Sequence, residues 1–225
     1  MDTGITAIIL VGGKGKRMRP FDEPKCLVPV NGKAMLGHII NGLKPHVSDF
    51  IFCVGYRKHS VIDWLKRWSC LSMKRFDTVN SGEEASITKR IIDALMFSKD
   101  KVMICYGDEM ADVDIPKLLE EHKKSGAKGT ITVHPLRSEF GIVHVDTFGD
   151  AIQGFEEKPI LPFWINIGYM VFDKSAFDGV KKEQEFQDVL NSMAIDKKLT
   201  AFRHIGKRAT VNTIKDLEEA ERVLA

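Results

Sequence analysis

Apolar residues arrive along this chain in two rhythms. Residues 5–11 form an unbroken apolar run, the pattern of a strand covered on both faces. Residues 34–43 repeat apolar side chains at helical spacing and predict a helix. Residues 50–54 predict a second strand, and Val61, Leu65 and Trp68 then fall on one face of a second helix. A weaker strand at 76–79, a helix at about 86–97 and a strand at 102–106 continue the alternation. Asp114 has the chemistry of an N-cap, with Ile115 and Pro116 opening a helix that Gly126 closes. Strand and helix in turn predict a mainly parallel sheet with helices on both faces.

The texture changes after Gly129. Residues 130–134, 141–146, 151–155 and 165–172 are strand-like and closely spaced, which predicts antiparallel strands or hairpins added to the sheet. A helix at about 186–195, two short strands and an amphipathic helix from about Ile214 complete the pattern. No repeat, linker or low-complexity segment interrupts it. The expectation is a single mixed α/β domain whose halves, 1–128 and 129–225, differ in strand direction.

Composition narrows the function. The chain has 225 residues, about one and a half times the usual domain length, and 33 basic against 31 acidic side chains. That near balance argues against a nucleic-acid partner, which needs a concentrated cationic face. No uncharged apolar run approaches the roughly 18 residues of a membrane span. Asp2 and the absence of a basic residue before Lys14 argue against an export signal, and the four cysteines form no CxxC pair. A cytoplasmic protein with reduced thiols is expected. The seven histidines lack metal-ligand spacing and no GxSxG elbow is present, so zinc and serine-hydrolase chemistry have no anchor.

The first strand runs directly into Gly12-Gly13-Lys14-Gly15-Lys16-Arg17-Met18-Arg19-Pro20. This is neither a P-loop, since Arg17 stands where the second glycine belongs, nor a dinucleotide fingerprint, since Met18 replaces its last glycine. Glycines after a strand still let backbone N–H groups approach phosphate oxygens. Lys14, Lys16, Arg17, Arg19 and Lys25 concentrate positive charge where a triphosphate would need it. A solvated basic loop is the plainer alternative.

Residues 10–20, followed by Glu23-Pro24-Lys25-Cys26-Leu27-Val28-Pro29-Val30-Asn31-Gly32-Lys33, resemble the signature of the nucleotide-sugar pyrophosphorylases, the sugar-1-phosphate nucleotidyltransferases. The resemblance implies a three-layer, Rossmann-like nucleotidyltransferase domain with a mixed, mainly parallel sheet. Its first half would bind the nucleotide and its second the acceptor. It also implies nucleotide contacts from Leu10, Gly12, Gly13, Lys14 and Gly15, with Arg17 on the leaving phosphates and Lys25 at the reacting ones.

Asp108 follows Gly107 directly after the strand at 102–106. Ligands of open α/β sheets sit at such carboxyl ends, and a carboxylate there suits Mg²⁺ bound to phosphates. A turn aspartate is the alternative. Residues 106–115 and Val79-Asn80-Ser81-Gly82-Glu83 are similar to segments of the glucose-1-phosphate cytidylyltransferases, which implies base reading near Ser81 and Gly82 and makes CTP the favoured nucleotide. Thr88 and Lys89 depart from that pattern, leaving GTP, UTP and dTTP open.

On the acceptor side, the resemblance implies sugar-phosphate contacts from Gly141, Glu157, Lys158 and Asn166. A lysine there would also reduce repulsion between two anionic substrates. The loop Leu161-Pro162-Phe163-Trp164 is open to acceptor-pocket, core or subunit-contact roles, the last implying a homo-oligomer. Asn212 stands where the resembling group has a second metal-binding aspartate, and it also suits a cap for the final helix. The expectation is transfer of CMP from CTP to a sugar 1-phosphate or similar phosphate, with release of pyrophosphate. The alternative is a catalytically weak, nucleotide-sugar-binding regulatory subunit.

Overall fold

The computed structural model describes residues 3–13, 23–72 and 75–224. The strands are β1 (Ile5–Leu10), β2 (Pro29–Val30), β3 (Lys33–Ala34), β4 (Asp49–Val54), β5 (Phe76–Asn80), β6 (Lys101–Tyr106), β7 (Glu109–Ala111), β8 (Gly129–Arg137), β9 (Ile142–Val145), β10 (Ile152–Glu156), β11 (Ile160–Asp173), β12 (Leu199–Arg203) and β13 (Arg208–Thr210). The helices are α1 (Met35–Leu43), α2 (Lys58–Ser72), α3 (Ile87–Leu95), α4 (Ile115–Ser125), α5 (Phe186–Ile195) and α6 (Ile214–Val223). Among the described residues, no helix is long and apolar enough to cross a membrane.

Seven strands form the central sheet in the order β12-β8-β11-β6-β1-β4-β5. All its pairings are parallel except those of β11 with β6 and with β8. The sheet is therefore mixed and mainly parallel, as the alternating pattern predicts. The apolar run of β1 is explained by its two covered faces. Ile5, Ala7 and Ile9 pack towards α1, α2, α4 and α6, while Ile8 packs towards α3 and α5. Local chemistry sets the helix ends. Asp114 accepts from the Lys117 N–H at 3.0 Å and Gly126 closes α4 at φ 66°, a left-handed conformation that favours glycine.

The hairpin strands differ from expectation. β9 and β10 pair only with each other and do not join the central sheet. The connectivity explains this. β8 and β11 are direct neighbours, so β9–β10 is an excursion from the connection between them and cannot reach the sheet's edges at β12 and β5.

A second short pair, β7 with β13, has a larger consequence. Its register sets Thr210 opposite Glu109. Asp108 and Asn212, just beyond that pairing, are thereby brought to the same end of the molecule. The pair is latched by Arg208, which donates to both carboxylate oxygens of Glu109 at 3.0 Å and to Thr210 Oγ1 at 2.6 Å. Burial raises the Glu109 pKa and the Arg208 charge opposes that rise. Arg208→Met would strand a largely buried carboxylate. It is expected to lower stability by about 3 kcal/mol in urea denaturation, with partial recovery in Arg208→Met/Glu109→Leu.

Candidate nucleotide and phosphate site

The carboxyl ends of β1 and β6 open into a cavity of about 480 Å³. Leu10, Val11, Gly12 and Gly13 form one wall, Tyr106, Gly107 and Asp108 another, and Glu83, Ala85, Ile87 and Arg90 a third. Lys25, Cys26 and Asn212 close it. This volume falls within the range of small-molecule sites. The two strands meet closely here. The Gly107 N–H donates to the Leu10 carbonyl at 3.1 Å, and a Cβ on Gly107 would lie 2.7 Å from that oxygen.

Lys25 organises the charged end. Its Nζ donates to Asp108 Oδ2 at 2.6 Å and to Asn212 Oδ1 at 2.7 Å. The lysine side chain is only 12% exposed, so the ammonium is held between two oxygens that arrive from distant parts of the chain. An ammonium carries three N–H donors, and one remains for an incoming anion. Asn212 is not the helix cap. Thr213 caps α6 in a capping box with Asp216, and this leaves the Asn212 amide for Lys25.

Arg90 was not among the sequence candidates, yet it ties the site together. It is 5% exposed, and its guanidinium donates to five backbone carbonyls. These belong to Val54 at 2.9 Å, Gly12 at 3.3 Å, Gly82 at 2.8 Å, Glu83 at 3.1 Å and Ala85 at 3.2 Å. The glycine turn, the end of β4 and the loop entering α3 are thus joined by one side chain. A Cβ on Gly12 would overlap the guanidinium, which explains why glycine stands there. Burial lowers the Arg90 pKa, but an arginine keeps its charge, and the carbonyl dipoles offset its desolvation. The available signal was a cation on the apolar stripe of a helix, three residues after Ile87 and four before Ala94.

Ser81 and Gly82 lie beside the cavity without lining it. The Ser81 hydroxyl donates to Asp93 Oδ2 at 2.7 Å, and the Gly82 carbonyl accepts from Arg90. Asp93 also pairs with Lys89 at 2.7 Å and Lys182 at 2.5 Å. Lys89 thus faces Asp93, while Thr88 is fully buried in α3. Burial alone would raise the Asp93 pKa, but hydrogen bonds from Lys182, Lys89 and Ser81 outweigh it and hold it at about 2.

The acceptor candidates stand apart from the cavity lining. Gly141 and Glu157 are neighbours, since a Cβ on Gly141 would lie 3.1 Å from Glu157 Oε2. Lys158 sits at φ 45° and its carbonyl accepts from Arg137 at 3.2 Å. Asn166 Oδ1 accepts from the Gly168 N–H at 2.8 Å. Gly168 packs against the Tyr106 ring, which does line the cavity, so this strand adjoins the site through Tyr106. Lys14, Gly15 and Arg17 fall outside the described residues.

Cys26 lines the cavity, but burial pushes its thiol up to about 12 and keeps it a neutral, unreactive group. Among the described residues, no cluster of three or more His, Cys, Asp or Glu side chains could hold a metal. Asp108 and Asn212 converge on the Lys25 ammonium, and the oxygen lone pairs that it leaves free are hard donors. That set suits Mg²⁺, which commonly takes one or two carboxylates and fills its remaining positions with water and phosphate.

The chain is similar to known proteins over most of its length. Residues 6–222 match the model of the nucleotidyl transferase family. A protein of Bacillus subtilis (strain 168) named as a probable glucose-1-phosphate cytidylyltransferase is 28% identical, over 96% of this chain and 95% of its own length. The mannose-1-phosphate guanyltransferase of Schizosaccharomyces pombe is 28% identical over 93% of this chain, which spans 61% of that protein. The crystal structure of HddC from Yersinia pseudotuberculosis superposes with a TM-score of 0.75 at 20% identity, covering 98% of this chain and 99% of that one. This last likeness concerns the fold.

Two outcomes follow from the site's geometry. Arg90→Met leaves five carbonyls without their shared donor and is expected to cost roughly 2–4 kcal/mol in denaturant unfolding. The Asp93 contribution has a defined pH window. Its folded pKa lies below its ordinary value of 3.8, so the stabilisation is complete above that value and is lost as pH falls towards about 2. The difference in melting temperature between the native chain and Asp93→Asn should therefore be constant above pH 5 and shrink as the solution is acidified to pH about 2.

Proposed function

Because the chain belongs to the nucleotidyl transferase family, we propose that it joins a nucleoside triphosphate to a sugar 1-phosphate, forming a nucleoside-diphosphate sugar and releasing pyrophosphate. CTP is the favoured nucleotide, on the likeness of residues 79–83 and 106–115 to cytidylyltransferases and on the Bacillus subtilis relative. The observation that carries the reading is the Lys25 ammonium held between Asp108 and Asn212 at the end of a cavity walled by the Gly12–Gly13 backbone.

An oxygen of the sugar phosphate attacks the α-phosphorus of the triphosphate. The new P–O bond forms as the bond to the bridging oxygen breaks, and pyrophosphate departs with that electron pair. No protein nucleophile is required, because positioning and charge stabilisation lower the barrier. Lys25 directs its remaining N–H to the reacting phosphates. Arg17 receives the leaving pyrophosphate, while Leu10, Gly12, Gly13, Lys14, Gly15 and Gly107 hold the nucleotide with Ser81 and Gly82 on its base side. Gly141, Glu157, Lys158 and Asn166 hold the acceptor, with Lys158 offsetting its charge. Bound Mg²⁺, held by Asp108 and Asn212, would supply charge neutralisation on the phosphates. The buried, neutral thiols of Cys26 and Cys53 suit a cytoplasmic setting.

One feature favours a second reading. Asn212 contributes no charge, so a binding subunit with weak or absent turnover would retain this same cavity. Incubation with each of the four NTPs, a panel of sugar phosphates and Mg²⁺ separates the two readings. Pyrophosphate release is expected, fastest with CTP; tight binding without release with any pair would overturn the enzymatic reading. Lys25→Ala and Asp108→Ala should each lower kcat roughly 10²- to 10³-fold with the fold retained by circular dichroism. Asn212→Asp should lower the Mg²⁺ concentration needed for half-maximal rate several-fold, because metal affinity rises with the charge of the ligand set.

A further inference from the structure

One wall of the cavity differs from the rest. Glu83, Ala85 and Ile87 set a carboxylate beside two apolar side chains, whereas Lys25 and Asn212 close the charged end. Ile87 is the first residue of α3 and is 41% exposed, although Ile91, Ala94 and Leu95 of the same helix are buried. An apolar side chain left open along a cavity suits the flat face of a heterocycle. Glu83 is also exposed, and its main chain is fixed because its carbonyl accepts from Arg90 at 3.1 Å. Among the described residues, no side chain is paired with its carboxylate.

We propose that Glu83 selects the base of the bound nucleoside triphosphate by accepting from an exocyclic amino group. The site then takes amine-bearing bases, cytosine among them, and rejects UTP and dTTP. This rests on the nucleotide reading above and deepens it.

Charge sets the orientation. An unpaired carboxylate repels a triphosphate, whereas the Lys25 ammonium, already balanced by Asp108, keeps one N–H for an anion. The phosphates therefore lie towards Lys25, and the base lies along Glu83, Ala85 and Ile87. A base settling there displaces water from the carboxylate, which must receive N–H donors in exchange. An ionised carboxylate only accepts. The amino group of cytosine supplies the donor, a pairing that glutamate and aspartate use repeatedly to read this base. Uracil and thymine carry an oxygen at the same ring position, so two acceptors would face each other with no proton between them. The penalty falls on UTP and dTTP alone. A contact from Glu83 to the ribose would instead act on every ribonucleotide alike, and the two roles are separable by experiment.

The test is calorimetric titration of the native chain, Glu83→Gln and Glu83→Ala with CTP, GTP, ATP, UTP and dTTP. Mg²⁺ is present and the acceptor is omitted, so that no turnover enters. The native chain should bind CTP at least roughly 10-fold more tightly than UTP or dTTP. The glutamine amide donates as well as accepts, so Glu83→Gln should bring CTP and UTP to within about threefold, with UTP binding more tightly than before. Glu83→Ala should lose the preference without that gain. Both variants change an exposed side chain and spare the core. Equal affinity of the native chain for CTP and UTP would overturn the proposal, as would a native preference retained in both variants. Equal weakening of all the ribonucleotides would also overturn it, in favour of a ribose contact. In each of these cases the nucleotide site itself stands. A native chain that binds none of the nucleotides would overturn the nucleotide reading, and this proposal with it.

Discussion

A buried guanidinium imposes a strict demand, because its five N–H donors cannot be left dry and its charge cannot be shed. Arg90 meets that demand only with main-chain carbonyls, from the turn after β1, the end of β4 and the loop before α3. Three segments far apart in sequence therefore share one geometry. Peptide planarity extends the effect: with the Gly12 carbonyl turned towards Arg90 and the Tyr56 N–H, the N–H of Gly13 must point the opposite way. The shape of the cavity is thus set by backbone orientation around one cation, and the residues lining it follow.

The opposite end of the cavity is governed by a smaller charge. Lys25 is nearly enclosed, and its ammonium is compensated by one carboxylate and one amide oxygen rather than by two carboxylates. The group is neutral overall, but the third N–H of the ammonium stays available to an anion beside the glycine-rich turn. The β7–β13 latch keeps both oxygens in place. Its own ion pair, Glu109 with Arg208, sits one residue beyond Asp108 and transmits strand register to the site.

What the sequence made legible follows from the range of the forces involved. The order of elements was readable because burial on two faces writes an unbroken apolar run at β1 and a periodic stripe at α1. The placement of Asp108 at a strand's carboxyl end was readable because a local apolar run defines that end. Arg90 was hidden, since a cation in a helix looks solvated until the carbonyls converging on it are known. The partner of Asn212 was hidden for another reason: 187 residues separate it from Lys25, and no local pattern spans such a distance. Thr213, with Asp216, took the capping role that Asn212 also suited. The hairpin was legible as strands but not as an independent sheet, because only the pairing of β8 with β11 excludes it from the main one.

That same separation governs when the molecule becomes complete during synthesis. The β1–β4–β5–β6 portion of the sheet pairs within the first half of the chain and is available early. The ammonium of Lys25, made near the start, has one of its two counterpart oxygens only after residue 212 has left the ribosome. Until β13 zips onto β7, the cradle is half built, and a nascent chain would carry its glycine turn without the finished charge arrangement beside it. Completion of the pocket therefore acts as a late checkpoint, reached only by chains translated through β13 and residue 212.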